Sequence, residues 1–375
     1  MIELGHIAAA PFATMLLADL GADVVKVESP EGDGMRGWPP FVDAGGERQS
    51  LNFVSLNRNK MGVRADLKDP AQQSAVFELC QSADVVVENY RAGVLERLGL
   101  GYAAVTAGHR GLVYCSITGF GLTSPYRDRG AFDVIIQAMS GLMSVTGEPE
   151  RPPSKCGVPV GDFVAGLYAA FTVASLLPQV RESGHSVHVD CSMLDCLLAV
   201  SALQTSEYWG TGRTPVRLGS AHPRNAPYQV FATADRPLAI AAGTERLWEL
   251  LCEVLNAEHL THDPRFTDQL ARAKRQAELA DSIESILRRR SCTEWVAVLE
   301  SAGIPCGPVN TYAEILEDPH VLFGGLLDEV ELAGGWRTPA FLYPVRMSGR
   351  SPRTTSPPPP TGGNRLLDVL ESWRN

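Results

Sequence analysis

Two stretches of this chain are near copies of each other: Ala22–Glu28 (ADVVKVE) and Ala83–Asn89 (ADVVVEN). Each is a short β-branched run that ends on an acidic side chain. Helical sequence precedes both. Pro11–Leu20 reads as a helix stopped at Gly21, and Asp69 with Pro70 opens a second helix running to about Ser82. Leu112–Ile117 is a third strand of the same kind. Strands without polar alternation, separated by helices, require a parallel sheet covered on both faces, and hence an α/β fold. Glu3–His6 runs almost at once into helix, so a first strand is expected to be shortened. Ser29 to Gly46 is a loop rich in glycine and proline.

Ligands of open parallel sheets bind beyond the carboxyl ends of the strands. Three loops lie there if the strands share a sheet: 28–33, 88–93 and 118–130. No G-x-G-x-x-G follows the first strand, so the usual dinucleotide fingerprint is missing. Gly119-Phe120-Gly121 suits a tight turn just past a strand.

The middle of the chain reads as helices over Phe132–Met143, Phe163–Leu177 and Met193–Tyr208, with a strand at Val187–Asp190. Their Ala-, Leu- and Ser-rich faces indicate close packing, within one chain or across a subunit interface. Composition changes near Gly210. Tyr228–Thr233 and Pro237–Ala241 then form a hairpin, followed by helices to about Glu300. A length of 375 residues accommodates two domains. The expected organisation is a large domain over 1–221, a smaller α+β domain over 222–325, and a segment over 326–375 returning to the large domain. Within that segment, 351–363 carries four consecutive prolines and is extended. Leu366–Trp373 is a terminal helix docking on the large domain.

A net charge of -10 argues against nucleic acid as a partner. The eight cysteines form no C-x-x-C pair, so neither a zinc site nor a dithiol motif is expected. They read as small buried residues in a reducing, cytoplasmic setting. Ile7–Leu20 is apolar but contains Pro11 and Asp19 and lacks a basic lead, so it is not a signal peptide. No uninterrupted stretch is expected to span a bilayer, and no membrane partner is expected. Arg288–Arg290 reads as a solvated helix end.

Asp162 stands in VPVGDFVAG (158–166), after Gly161 and directly ahead of an apolar run. A carboxylate there is either an N-cap or a nucleophile held at a helix start. A helix N-terminus favours its ionised form in either role.

The order and spacing of several segments decide between these readings. They are Pro11–Glu28, Leu56–Lys60 (LNRNK), Asp84–Gly93 (DVVVENYRAG), Tyr114–Gly121 (YCSITGFG), Gly161-Asp162 and Trp295–Val309 (WVAVLESAGIPCGPV). Together they resemble the class III coenzyme A transferases, the formyl-CoA transferase, carnitine dehydratase or CaiB/BaiF family, over nearly the whole chain. The resemblance implies a doubly wound large domain with a smaller domain in an interlocked homodimer. It also implies a site between the large domain of one chain and the small domain of the other.

Asp162 falls at the family's catalytic aspartate. His6, Ile7, Ala8 and Ala9 fall on the segment lining the coenzyme site. Asn89, Tyr90, Arg91, Arg97 and Leu98 fall on the segment gripping adenine and phosphates. Lys60 is placed to serve the substrate pocket or the coenzyme. Each has a plainer reading: strand-end cap, core residue, solvated helix surface or solvated turn.

By the family mechanism the aspartate forms a mixed anhydride and then an aspartyl-CoA thioester. The substrates are an acyl-CoA thioester and a small carboxylic acid. No tightly bound cofactor and no metal are implied.

Two departures matter. The family's racemase branch carries a G-H-D pattern where this chain reads GAFD (130–133), and Phe132 cannot transfer a proton. Asp133 is left to orient a loop or cap a helix. GSAHPR (219–224) stands where some members have a glycine-rich closing loop; His222 there either faces the active site or packs within the loop. A racemase-like enzyme and a non-catalytic acyl-CoA-binding protein are the alternatives. Arg213, Arg217 and Arg224 form either a solvated basic linker or a partner for the second carboxylate of a diacid.

Overall fold

The computed structural model describes residues 1–109, 111–349 and 356–374. Six strands form the main sheet: β1 (Ile2–Leu4), β2 (Val24–Glu28), β3 (Lys60–Arg64), β4 (Val85–Glu88), β5 (Val113–Thr118) and β6 (Val187–Ser192). Their order is β3-β2-β1-β4-β5-β6, and every neighbouring pair is parallel. The α/β architecture expected from the sequence is observed. β1, β2, β4 and β5 are buried along their whole length, which is why β4 reads as the unbroken apolar run Val85-Val86-Val87.

The short first strand is central. From β1 the chain moves out to β2 and β3, then returns on the other side of β1 as β4. The carboxyl ends of β1 and β4 therefore flank a topological switch point, where open α/β sheets bind ligands.

Helices α1 (Ala9–Asp19), α2 (Pro70–Gln81), α3 (Asp133–Met139), α4 (Val160–Ser183), α5 (Met193–Val200), α6 (Ala202–Thr211) and α7 (Leu366–Arg374) accompany this sheet. Side chains alternate across a strand, so β4 sends Val85 and Val87 to one face and Val86 to the other. On the first face they pack with Ala13, Leu17, Ala169 and Val173 of α1 and α4. On the second, Val86 packs with Val76 and Leu79 of α2 and with Val369 and Leu370 of α7. The α2 start follows its local signal: Asp69 accepts from the Ala71 and Gln72 amides, and Pro70 occupies the first turn.

Several elements differ from the sequence reading. The loop expected over 29–46 contains a 3-10 turn (Gly34–Gly37) and an antiparallel hairpin, Phe41–Ala44 with Glu47–Ser50. Gly45 and Gly46 both take positive φ, the conformation a tight hairpin turn needs. The expected helix over 132–143 divides into α3 and a turn at Leu142–Val145, and that over 193–208 divides at Ser201. α4 begins earlier than Phe163 and runs through Pro178 to Gly184, whose left-handed backbone closes it onto the Val180 carbonyl.

Contrary to the sequence expectation, α4 is long and apolar enough to cross a bilayer by length and composition. One face, including Gly161, Ala165, Gly166, Ala169 and Val173, is buried within the protein. Of the proline-rich tail, residues 351–355 lie outside the described residues. Pro359 packs on Gly62 of β3, and its carbonyl accepts from Arg36 Nη2 at 3.0 Å.

The chain forms two compact units. The first comprises Met1–Leu142, Lys155–Gly212 and His320–Asn375, and the second Met143–Ser154 and Arg213–Pro319. The second has its own antiparallel sheet, in which Pro237–Ala241 lies between Tyr228–Ala232 and Cys306–Pro308. Helices Glu245–Val254, Gln276–Leu287 and Cys292–Ser301 cover it with Trp248, Leu251, Ile283 and Trp295 around Phe231 and Leu238.

Candidate active site

Past β1 the backbone must turn sharply into α1. A Cβ at Gly5 would stand 2.6 Å from Ala10 Cβ, so only glycine permits this turn. His6 then reaches across the switch point. Its N–H donates to Asn89 Oδ1 and its carbonyl accepts from Asn89 Nδ2, both at 2.9 Å. The His6 ring stands edge-on to Tyr90 with centroids 5.5 Å apart, and burial holds its imidazole below the ordinary range.

Ile7 follows in the left-handed region at φ 66, a true outlier for a β-branched residue. Such strain costs roughly 1–3 kcal/mol and needs surrounding support. The Asp33 carboxylate gives that support by accepting the Ile7 N–H at 3.1 and 3.2 Å. Ala8 and Ala9 are buried at the start of α1.

Beneath these loops lies a buried set of four charges. Glu3 meets Lys26 at 2.7 Å and Lys60 at 2.8 Å, and Lys26 also meets Asp33 at 2.9 Å; all four side chains are fully buried. Burial disfavours the Glu3 carboxylate, but Lys26 and Lys60 outweigh it and hold it below its usual range. Asp33 is likewise held low against burial by Lys26 and by the Met35 and Ile7 amides. Burial pulls Lys60 down to about 8. Lys60 Nζ also donates to the Pro11 carbonyl and to Asn57 Oδ1, at 2.8 and 3.0 Å. Its donors are therefore directed inward, and the structure does not bring Lys60 to the surface with the other coenzyme-site candidates.

The loop after β4 is set by Glu88, whose Oε2 accepts the Tyr90 N–H at 2.7 Å. Burial pushes the Glu88 carboxyl up to about 7 despite bonds from Ser116 and the Tyr90 amide. Ser116 Oγ in turn lies 2.9 Å from His188 Nε2. Tyr90 is half-buried and Arg91 and Arg97 are exposed. Leu98 packs toward the core beneath them, and its carbonyl accepts from Gln73. The structure thus brings His6, Ile7, Asn89 and Tyr90 together, flanked by the two arginines, and turns Leu98 inward.

Asp162 lies in the first turn of α4, as its third residue. It is not the N-cap: Pro159 takes that position, with no side-chain capping bond. The turn is fixed instead by Asp133 at the start of α3. Asp133 Oδ1 accepts the Gly161 N–H at 2.8 Å, and Oδ2 accepts Gln137 Nε2 at 2.7 Å. Gln137 Oε1 accepts the Cys156 N–H at 2.8 Å, so one buried amide holds both ends of the approach to Asp162. Gln137 gives no sign of this in the sequence, where it is one polar residue in an apolar helix.

Gly161 is required, because a Cβ there would stand 2.9 Å from Asp133 Oδ1. Burial, and then the Asp133 charge, push the Asp162 carboxyl up to about 7. The favourable helix N-terminus does not offset them. α4 meets α1 closely here. The Phe163 and Phe12 rings are 4.6 Å apart, and a Cβ at Gly166 would stand 2.9 Å from the Ala9 carbonyl oxygen. Asp162 therefore shares one edge of the first unit with the His6–Ala9 segment.

In the second unit, His222 Nδ1 accepts the amides of Arg224 and Asn225 at 3.1 Å, and its ring packs against Tyr228. It organises its own loop. Arg217 donates to the carbonyls of Glu148 and Pro149. Among the described residues, no group of three or more His, Cys, Asp or Glu could hold a metal ion.

The geometry places a carboxyl of raised proton affinity at the same edge as the loops beyond the parallel strands. The sequence also matches the model of CoA-transferase family III over residues 1–365. The chain belongs to CoA-transferase family III. It is a class III CoA transferase, an enzyme acting on acyl-CoA and carboxylate substrates.

The chain is 39% identical to the succinate–glutarate CoA-transferase of Agrobacterium fabrum, over 99% of this chain and 94% of that protein. It is 36% identical to the acetyl-CoA:oxalate CoA-transferase of Acetobacter aceti, over 93% of this chain and 88% of that one. A solved CaiB/BaiF family protein from Brucella suis superposes with a TM-score of 0.89 at 36% identity, covering 99% of this chain and 97% of that chain.

Proposed function

We propose that this enzyme moves coenzyme A from an acyl-CoA donor to a small dicarboxylic acid through covalent intermediates on Asp162. The observation that carries this reading is the Asp162 carboxyl in the first turn of α4, beside Gly161 and against Asp133. An ionised Asp162 attacks the donor thioester carbonyl. The C–S bond breaks, giving a mixed anhydride and CoA thiolate. The thiolate attacks the aspartyl carbonyl of the anhydride, releasing the donor acid and leaving an aspartyl-CoA thioester. The acceptor carboxylate attacks that thioester and expels the thiolate, forming a second anhydride. Attack of the thiolate on the acceptor carbonyl then gives the new acyl-CoA and restores Asp162.

Each attack develops an oxyanion, which preorganised backbone N–H groups stabilise without rearranging. Gly161 leaves room for the Asp133 carboxylate to close against the start of α4.

The choice of a diacid rests on the named substrates of similar proteins, which pair succinate with glutarate or with D-citramalate, or act on oxalate. Arg213, Arg217 and Arg224 are the candidates for the second carboxylate. Coenzyme contacts are assigned to His6–Ala9, Asn89, Tyr90, Arg91 and Arg97. Exposed apolar side chains on α4 to α6, among them Phe171, Leu203 and Trp209, support a homodimer, since patches of this kind mark interaction surfaces. Phe132 stands exposed before α3 without a group able to carry a proton, which disfavours the racemase reading. The proposed location is the cytoplasm.

The test is intact-protein mass after incubation with succinyl-CoA, acetyl-CoA or formyl-CoA and hydroxylamine trapping, in wild type and Asp162→Ala. An Asp162-dependent CoA adduct or hydroxamate is expected. CoA binding without any such adduct across the donor panel overturns the covalent mechanism.

A further inference from the structure

Beyond Arg91 and Arg97, the structure presents another cation at the same edge. Gly93 follows the Asn89–Arg91 turn with φ 81. A Cβ built there would lie 3.4 Å from Arg97 Nη1 and 3.9 Å from Arg127 Nη2. The two guanidinium groups therefore stand no more than about 7 Å apart across a notch that glycine leaves open. They come from different strand-end loops, the one after β4 and the one after β5. Arg91 reaches from the first of these loops to the second: its Nη2 lies 3.1 Å from where a Cβ at Gly130 would stand.

Arg127 is not on a featureless strand of loop. Its N–H donates to the Ser124 carbonyl at 3.0 Å, closing a turn. The Tyr126 N–H donates to Ser124 Oγ, and the Tyr126 ring rests edge-on against the buried Phe120. The acidic neighbour of Arg127 is Asp128, whose Oδ1 is 3.7 Å from Nε, and both side chains are largely exposed. Two cations facing one notch repel each other. An anion between them removes that repulsion and accepts forked hydrogen bonds.

We propose that Arg127 and Arg97 form a two-guanidinium clamp, framed by Gly93, for a phosphate of the coenzyme. The proposal rests on the assignment of Arg97 to coenzyme binding and gives the loop after β5 a binding residue, Arg127. The clamp recognises a phosphate group, either the pyrophosphate or the 3′-phosphate of the ribose. It lets the enzyme hold the coenzyme while acids of different size exchange at Asp162.

The test is calorimetric titration of free CoA, and of dephospho-CoA lacking the 3′-phosphate, into wild type, Arg127→Gln and Arg127→Lys. Arg127 is exposed, so the variants are expected to fold, and circular dichroism checks that they do. Arg127→Gln is expected to raise the Kd for CoA about tenfold, with Arg127→Lys intermediate. A penalty that vanishes with dephospho-CoA assigns the clamp to the 3′-phosphate; one that persists assigns it to the pyrophosphate. Equal Kd values for wild type and Arg127→Gln overturn the clamp. Failure of the transfer mechanism reads out separately, as the lack of an Asp162-dependent adduct in a protein that still binds CoA.

Discussion

Replacing Asp162 by asparagine should inactivate the enzyme and at the same time make it more stable, in a pH-dependent way. The folded protein raises this carboxyl from its ordinary 3.8 to about 7. At ~1.4 kcal/mol per tenfold change in acidity, keeping it ionised costs about 4 kcal/mol. The group is only half-buried, and solvent screening reduces the figure to roughly 2 kcal/mol. The sign follows from proton binding: the folded chain holds this proton more tightly than the unfolded chain. Stability attributable to Asp162 therefore falls as pH rises from about 4 to about 7, and stays low above that. The asparagine side chain carries no charge, so the Asp162→Asn variant escapes the penalty.

Urea unfolding of both proteins at pH 5 and pH 8, at one fixed protein concentration, measures the difference. The variant is expected to gain roughly 2 kcal/mol at pH 8 and clearly less at pH 5. An equal gain at both values, or a loss at pH 8, would refute the claim that the site holds its nucleophile at a cost in stability.

The rate of Asp162 acylation in single-turnover assays should fall tenfold per pH unit below about 7, as the carboxylate takes up its proton. Asp133→Asn should move that midpoint to lower pH by removing the neighbouring charge. Gly161→Ala brings a methyl within 2.9 Å of Asp133 Oδ1, and should cost at least tenfold in kcat with the overall fold intact by circular dichroism. Lys60→Met leaves Glu3 buried with Lys26 as its one paired cation beside the Thr14 hydroxyl, so a loss of about 3–5 kcal/mol is expected in urea unfolding; adding Glu3→Gln should restore part of it. Asn89→Ala removes both bonds to the His6 backbone and should raise KM for acyl-CoA severalfold, measured by initial rates.

The sheet was legible because parallel strands buried on both faces leave unbroken apolar runs such as Val85-Val86-Val87. The 41–50 hairpin was not, although its Gly45-Gly46 turn is a recognised hairpin signal. Its strands carry Asp43, Glu47, Arg48 and Gln49, and so lack the apolar alternation that marks a sheet. The helix read as Phe163–Leu177 runs on past Pro178, carried by packing of Ala169, Val173 and Val180. At the site, Asp162 stood out by its motif, but its cap reading failed because the helix begins two residues earlier. The groups that hold it in place come from α3, more than twenty residues upstream, and no local pattern links Gln137 to Cys156. Lys60 shows the same limit. A lysine next to asparagines reads as a solvated turn until tertiary pairing with Glu3 takes it inside.

The four buried charges also constrain the order in which this protein can assemble. Glu3, Lys26, Asp33 and Lys60 arrive on separate segments, and Glu3 sits on an inner strand whose two neighbours, β2 and β4, both come later in the chain. Any partial collapse that dries Glu3 before Lys60 docks traps an uncompensated charge, so such intermediates are disfavoured. On a growing chain β1 must therefore stay hydrated until β3 has been made. Once assembled, β1, β2 and β3 should open to solvent only as one block, with the coenzyme edge losing its floor whenever that block lets go.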